Sequence, residues 1–195
     1  MKNFLNLFLE LGKLKTIKRS GWVVEGIENV ESIAEHSFRT AAISLFLAAE
    51  RKDLDLNRCV KMALVHDFAE SQIGDVLVDW KISFHDKQDM RKSDNKHHGV
   101  SQEEKHEIEK KAMIELTKNI PNGNEVFNLW MEFEKQETKE SIFVKSVDKL
   151  EMFIQALEYE RAQKKDLNHW FNDKRNHPND PQIIDFFKYL LSLRK

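Results

Sequence analysis

The chain predicts an all-α fold, and three observations carry that expectation. Apolar residues recur at helical spacing along most of its length, no run alternates with period two between turn dipeptides, and helix-start signals precede several apolar stretches. With 195 residues, 41% of them hydrophobic, and only 6 Gly and 3 Pro, one core and one domain over 1–195 are expected, without a long internal linker.

The first element is residues 1–10. Asn6 and Glu10 interrupt its apolar run and no small-x-small site follows, so it reads as an amphipathic helix and not as a secretion signal. Ser32-x-x-Glu35 makes a capping box before a helix over 34–50, with Ile33, Phe38, Ile43, Leu45, Phe46 and Leu47 among its apolar positions. Asn57 is the expected cap of the next helix, which carries Cys59, Met62, Ala63 and Val65 and ends near Gly74. Over 76–100 the pattern dissolves into a polar stretch with His85, Asp86, His97 and His98, read as an insertion that is either mobile or a lid over a substrate.

A second capping box, Ser101-x-x-Glu104, opens a helix with Ile108, Ala112 and Leu116 on one face, and Pro121-Asn122-Gly123 breaks it. Phe127, Trp130 and Phe133 then mark a short aromatic helix whose face is either core or a dimer surface. Phe143, Val147, Leu150, Ile154 and Leu157 form the clearest amphipathic stripe, which places Asp148 on a core helix. A loop is expected over 165–180, after which Asp180-Pro181 starts a last helix with Ile184, Phe187 and Leu191.

Composition removes several functions. Lys+Arg 31 and Asp+Glu 33 are interleaved to a net charge of -2, which leaves no basic face for a nucleic-acid polymer, though a mononucleotide stays open. The single cysteine, Cys59, makes neither an internal disulfide nor a thiolate cluster for zinc, and a reducing cytoplasm is expected. The longest nearly apolar run, 41–49, is far too short to span a bilayer, so no membrane partner is expected.

His66-Asp67-x-x-Glu70, closed by Gly74-Asp75, stands out from this background. With 8 His and 13 Asp in the chain, chance supplies roughly 0.5 His-Asp pairs, so the dipeptide alone decides nothing. Its setting separates it from His85-Asp86, because Met62, Ala63, Leu64, Val65 and Phe68 surround it, and a carboxylate buried there is costly unless paired or metal-bound. Helical rotation would bring His66, Asp67 and Glu70 to one face. Two further groups sit in apolar helices, His36 after the first capping box and Asp148 on the stripe. Taken by spacing alone, His36 is also readable as a helix-start histidine and Asp148 as a solvated neighbour of the core.

The order His36, His66-Asp67, Asp148 resembles the H…HD…D signature of the HD phosphohydrolase superfamily. More closely, Leu14-Lys15-x-x-x-Arg19-x-Gly21-Trp22, Glu31-Ser32-x-x-Glu35-His36, Ala63-Leu64-Val65-His66-Asp67-x-Ala69-Glu70, Gly74-Asp75 and Val144-Lys145-x-x-Asp148 resemble the 5′-deoxynucleotidases of that superfamily. These include the bacterial YfbR type and the eukaryotic and archaeal HD domain-containing protein 2 type. The resemblance runs from about residue 5 to about residue 160 and implies an all-α helical bundle with a metal site between core helices. It also implies hydrolysis of deoxyribonucleoside 5′-monophosphates to deoxynucleoside and phosphate, and a homodimer.

Position by position, the resemblance gives His36, His66, Asp67 and Asp148 the metal-ligand role. Glu70 and Asp75 take catalytic carboxylate roles, handling the water and leaving oxygen or holding a second ion. Arg19 orients the phosphate, and Trp22, Asp67, Asp75 and Asp148 join it around the substrate. Ser20-Gly21 separates Arg19 from Trp22, whereas in the bacterial type the tryptophan follows directly, so the contact made by Trp22 is the less defined.

The chemistry is consistent with these roles. A phosphate monoester dianion repels a nucleophile, so a site must neutralise charge and hold a water in line. A divalent metal cation does both, lowering the pKa of water from about 15.7 toward about 7–9. Imidazole ligands favour Mn, Co, Ni, Fe, Cu or Zn over calcium, and the carboxylates also admit Mg. Arg19 offers a planar fork that Lys18 lacks. The alternatives are an HD phosphohydrolase acting on a triphosphate or cyclic nucleotide, and a helical protein that binds metal or nucleotide without turnover.

Overall fold

The computed structural model describes residues 1–78 and 99–194. In chain order its helices are α1 (Lys2–Leu11), α2 (Ser20–Val24), α3 (Ile33–Ala49), α4 (Leu56–Val65), α5 (Glu70–Ile73), α6 (Gln102–Thr117), α7 (Gly123–Lys135), α8 (Lys139–Gln163), α9 (Asn168–Asn172) and α10 (Pro181–Ser192). Among the described residues no strand forms, and extended backbone pairs at the isolated bridges Lys18 with Ser32 and Val78 with Val100. The all-α expectation holds. Most of the expected 76–100 insertion, with His85, Asp86, His97 and His98, lies outside the described residues. No helix among those described is long and apolar enough to cross a membrane.

The chain clusters into two compact units. The first comprises Met1–Glu35 and Asp67–Asn128. In it α5 packs on α6, on α1 and on the 3-10 turn Gly12–Lys15, and the buried apolar residues of the unit include Leu14, Trp22, Val30, Ala69, Ala112, Met113 and Leu116. The predicted capping box of α6 forms in full: Glu104 N–H donates to Ser101 Oγ at 3.1 Å, and Ser101 N–H donates to Glu104 Oε2 at 2.9 Å. At Gly123 a Cβ would lie 2.0 Å from the Thr117 carbonyl oxygen, so the turn after α6 closes because that residue has no side chain.

The second unit comprises His36–His66 and Leu129–Lys195. Its spine is α8, which packs against α4 and α10 and buries Phe143, Val147, Leu150, Phe153 and Leu157. Phe153 takes the place expected of Ile154, because a helix contacted by two neighbours buries a band wider than one stripe. On α10 the buried residues are Ile183, Phe187 and Leu190, one position before the expected Ile184 and Leu191 at either end. Asp180 fixes that rotation by accepting from Gln182 N–H at 3.0 Å and Ile183 N–H at 3.3 Å. The 165–180 connection, expected as loop, contains α9 and a 3-10 turn at Lys174–Asn176. Trp130 and Phe133 are buried in the core of the chain.

Two helix assignments change. Asp55, not Asn57, caps α4, accepting from Arg58 N–H at 3.1 Å. That helix ends at Val65 instead of running to Gly74: Glu70, Ser71 and Gln72 donate to carbonyls only three residues back, at 3.0–3.1 Å, which tightens the chain out of the α-helix. His66 and Asp67 therefore lie in the turn between α4 and α5. On α3 the helix forms as expected and Ile33 is buried, but only part of the apolar set turns inward. His36, Ser37, Thr40, Ala41, Ser44 and Ala48 point inward, whereas Phe38, Leu45 and Phe46 are exposed.

Candidate metal and phosphoester site

In the second unit, α3 and the end of α4 bring two imidazoles together edge-on, with ring centroids 5.4 Å apart and an interplanar angle of 61°. His36 Nε2 and His66 Nε2 stand 3.3 Å apart, and both rings are buried. His66 turns its other nitrogen onto its own helix, where Nδ1 lies 2.7 Å from the Ala63 carbonyl. A carbonyl only accepts, so Nδ1 carries the proton and Nε2 presents its lone pair. His36 Nδ1 meets the carboxylate of Glu151, which has the same effect. Phe133 packs against the His66 ring with centroids 5.1 Å apart.

Asp148, on α8, joins the pair. Its Oδ1 is 3.1 Å from His36 Nε2 and 4.0 Å from His66 Nε2, and its Oδ2 is 3.2 Å from Lys145 Nζ. Burial would raise this carboxyl, but the Lys145 ammonium beside it holds it below the usual carboxylate range. Asp148 stays ionised.

The donor set suits a divalent cation. Ligand atoms around a tetrahedral ion with bonds of about 2.0–2.1 Å are spaced by about 3.3 Å, close to the separations from His36 Nε2 to His66 Nε2 and to Asp148. Two lone pairs aimed at each other across 3.3 Å have no hydrogen to share, and a cation resolves that opposition. His36, His66 and Asp148 would hold it.

The first unit carries the remaining predicted residues. Asp67 follows His66 directly in the chain, and its Oδ2 is 3.6 Å from Arg19 Nη1. Arg19 is the N-terminal flanking residue of α2, held by its own N–H on the Glu31 carbonyl at 3.2 Å. The next residue anchors Asp75: Ser20 N–H donates to Asp75 Oδ2 at 2.6 Å, and Ser20 Oγ to the Asp75 carbonyl at 2.8 Å. Gly74, at φ 77, makes the left-handed turn that delivers Asp75 there.

Glu70 opens α5 and is 2% exposed. Its Oε2 has no hydrogen-bond partner among the described residues. Burial, together with the Asp67 and Asp75 carboxylates, pushes its carboxyl well above the ordinary value, partly offset by Lys105 and Arg19. Arg19, Asp67, Glu70 and Asp75 thus share one electrostatic environment.

Three departures from the sequence reading concern side chains. Trp22, expected around the substrate, is 2% exposed, with its indole N–H on Glu31 Oε1 at 3.0 Å, and is packed in the core. His177, whose polar surroundings in the sequence read as surface, is half-buried against Phe153 and Phe187 and meets the Phe171 carbonyl at 2.8 Å. Glu151 and Arg39 were not among the predicted site residues. The signal for Glu151 was its place three residues after Asp148 on an amphipathic helix, but a glutamate there reads equally as solvated.

Comparison with known proteins identifies the family and several relatives of this chain. The HD domain family matches residues 11–183. A protein of Dictyostelium discoideum named 5'-deoxynucleotidase HDDC2 is 40% identical over 169 residues, covering 83% of this chain and 80% of that protein. The Homo sapiens protein of the same name is 32% identical over 193 residues, covering 97% and 85%. The crystal structure of the PH0347 protein from Pyrococcus horikoshii superposes with a TM-score of 0.71 at 26% identity, over 97% of this chain and 99% of that one.

Proposed function

The chain belongs to the HD domain family, and on that premise we propose that it is a metal-dependent 5′-deoxynucleotidase, cleaving deoxyribonucleoside 5′-monophosphates to deoxynucleoside and phosphate. The observation that carries this reading is the convergence of the His36 and His66 Nε2 atoms beside the Asp148 carboxylate. Relatives named 5'-deoxynucleotidase supply the substrate class.

His36, His66 and Asp148 are assigned as ligands, and Asp67, peptide-linked to His66, as the fourth. A bound divalent cation supplies positive charge to the phosphoryl oxygens and makes a water more acidic. The chain's own residues do the rest. Arg19 offers two parallel N–H donors to phosphoryl oxygens, a fit that a lysine cannot reproduce. Glu70, with one carboxyl oxygen unpartnered among the described residues, exchanges a proton with the reacting oxygens. Asp75, fixed by two Ser20 contacts, orients the water and needs no reorganisation to do so. Water oxygen bonds to phosphorus, the bond to the 5′ oxygen breaks, and the proton shed by the water is matched by one gained at the leaving oxygen. Trp22, from the core, shapes the α2 segment beside Arg19.

A homodimer in a reducing cytoplasm is part of the same proposal. The exposed Phe38, Leu45 and Phe46 of α3 are an apolar surface that a second copy would cover. Light scattering on the purified protein reads this directly, and a monomeric mass removes it.

Product analysis tests the activity. The metal-loaded protein is expected to release orthophosphate and deoxynucleoside from deoxynucleoside monophosphates. Release of triphosphate from a nucleoside triphosphate, or of a linear nucleotide from a cyclic one, with monophosphates untouched, would replace this reading.

A further inference from the structure

We propose that Glu151 is a positioning residue for the cation: acting through His36, it fixes the ring with Nδ1 protonated and Nε2 aimed beside Asp148, and so sets the affinity of the site for a divalent ion. The inference rests on the metal-site reading above.

The argument starts from spacing. Asp148 and Glu151 are three residues apart on α8, hence on one face, and they hold opposite edges of the same imidazole. Asp148 lies at Nε2 and Glu151 at Nδ1. His36 and Arg39 are likewise three apart on α3, so the second pair repeats the first one turn along. Arg39 Nε donates to Glu151 Oε1 at 2.8 Å, and its Nη1 continues to Glu158 at 2.8 Å. Both oxygens of Glu151 are therefore committed, one to the ring and one to a guanidinium.

Burial gives this arrangement its meaning. Glu151 is 0% exposed, and an isolated carboxylate there would cost several kcal/mol. Packing alone would be served by an apolar side chain at lower cost. A charged acceptor on Nδ1 does what packing cannot: it excludes the other tautomer and makes Nε2 more basic toward a metal. Arg39 keeps Glu151 charged without donating to His36 itself.

The test measures zinc affinity of the wild type and of Glu151→Gln by competition with a chromophoric chelator, with cobalt absorption spectra as a signature of the ligands. Loss of the charged acceptor is expected to weaken binding about 10–100-fold in protein that remains folded by circular dichroism. Unchanged affinity and an unchanged cobalt spectrum, even with a lowered melting temperature, would reduce Glu151 to a structural role and overturn the proposal. Should the variant not fold, long-range proton–nitrogen spectra of the zinc-loaded wild type decide: Nδ1 of His36 protonated supports the proposal, and zinc on Nδ1 overturns it. Failure of the underlying reading looks different. A wild type that binds no divalent ion removes both, whereas one that binds zinc but releases no phosphate removes the activity and leaves the positioning role to these same measurements.

Discussion

His36 Nε2 and His66 Nε2 lie 3.3 Å apart while each ring's Nδ1 is turned away, onto Glu151 and onto the Ala63 carbonyl. Two acceptors so placed oppose each other until a cation sits beside them. The fold holds that opposition by burying both rings, so ion binding is linked to stability. At a cation concentration 100 times Kd the protein is expected to gain about 2.7 kcal/mol, and chelation should lower the melting temperature by several degrees. A melting curve insensitive to both metal and chelator would break the linkage.

Replacing His66 with alanine should remove the ion and weaken the fold together. The ring donates to Ala63 and packs on Phe133, so its loss is expected to cost about 2 kcal/mol. Denaturant unfolding with metal analysis of the same sample reads both effects. A variant that keeps stoichiometric metal would take His66 out of the ligand set.

Glu70→Gln separates chemistry from architecture. The buried carboxyl is held toward its neutral form by burial and by Asp67 and Asp75, and an amide copies that form. Folding stability should therefore be kept, while kcat falls about 10²–10⁴-fold. Turnover at the wild-type rate would end the role assigned to Glu70.

Much of this was legible in the sequence, and what was not has more than one cause. Ser32, Glu35 and Ser101 act through neighbours three residues away, so their capping boxes could be read from spacing. Local bonds also decided against two expectations: the tight turn after His66 rests on backbone bonds three residues back and the cap at Asp55 on its side chain, and a pattern of apolar residues encodes neither. Glu151 was illegible for a different reason. Its burial depends on Arg39 and His36 from α3, 112 and 115 positions away, and nothing near it in the chain signals them. On α3 polar residues occupy the inside and Phe38 and Phe46 the outside, which a count of apolar residues does not foresee.

Cys59 gives a pH-dependent reading away from the site. Burial, then the Glu140 and Asp55 carboxylates, push its thiol up to about 12. Because the folded value lies above the unfolded one of about 8.5, its contribution to stability is complete below about 8.5 and is lost as pH rises toward the folded value. Native protein should resist iodoacetamide at pH 8 and react on unfolding, and Cys59→Ala should flatten the alkaline limb of the stability profile. Rapid alkylation of folded protein would contradict this.

Gly123→Ala tests a close approach with no part in catalysis. The added carbon would meet the Thr117 carbonyl at 2.0 Å, so the turn must open. A loss of about 1–3 kcal/mol is expected. Calorimetry showing an unchanged melting temperature would mean the turn has room.

The most direct measurement is a crystal structure of the cobalt-loaded protein with anomalous scattering recorded at the cobalt edge. The account predicts a peak about 2.0–2.3 Å from His36 Nε2, His66 Nε2 and an Asp148 oxygen. A peak elsewhere, or coordination through either Nδ1, would contradict it.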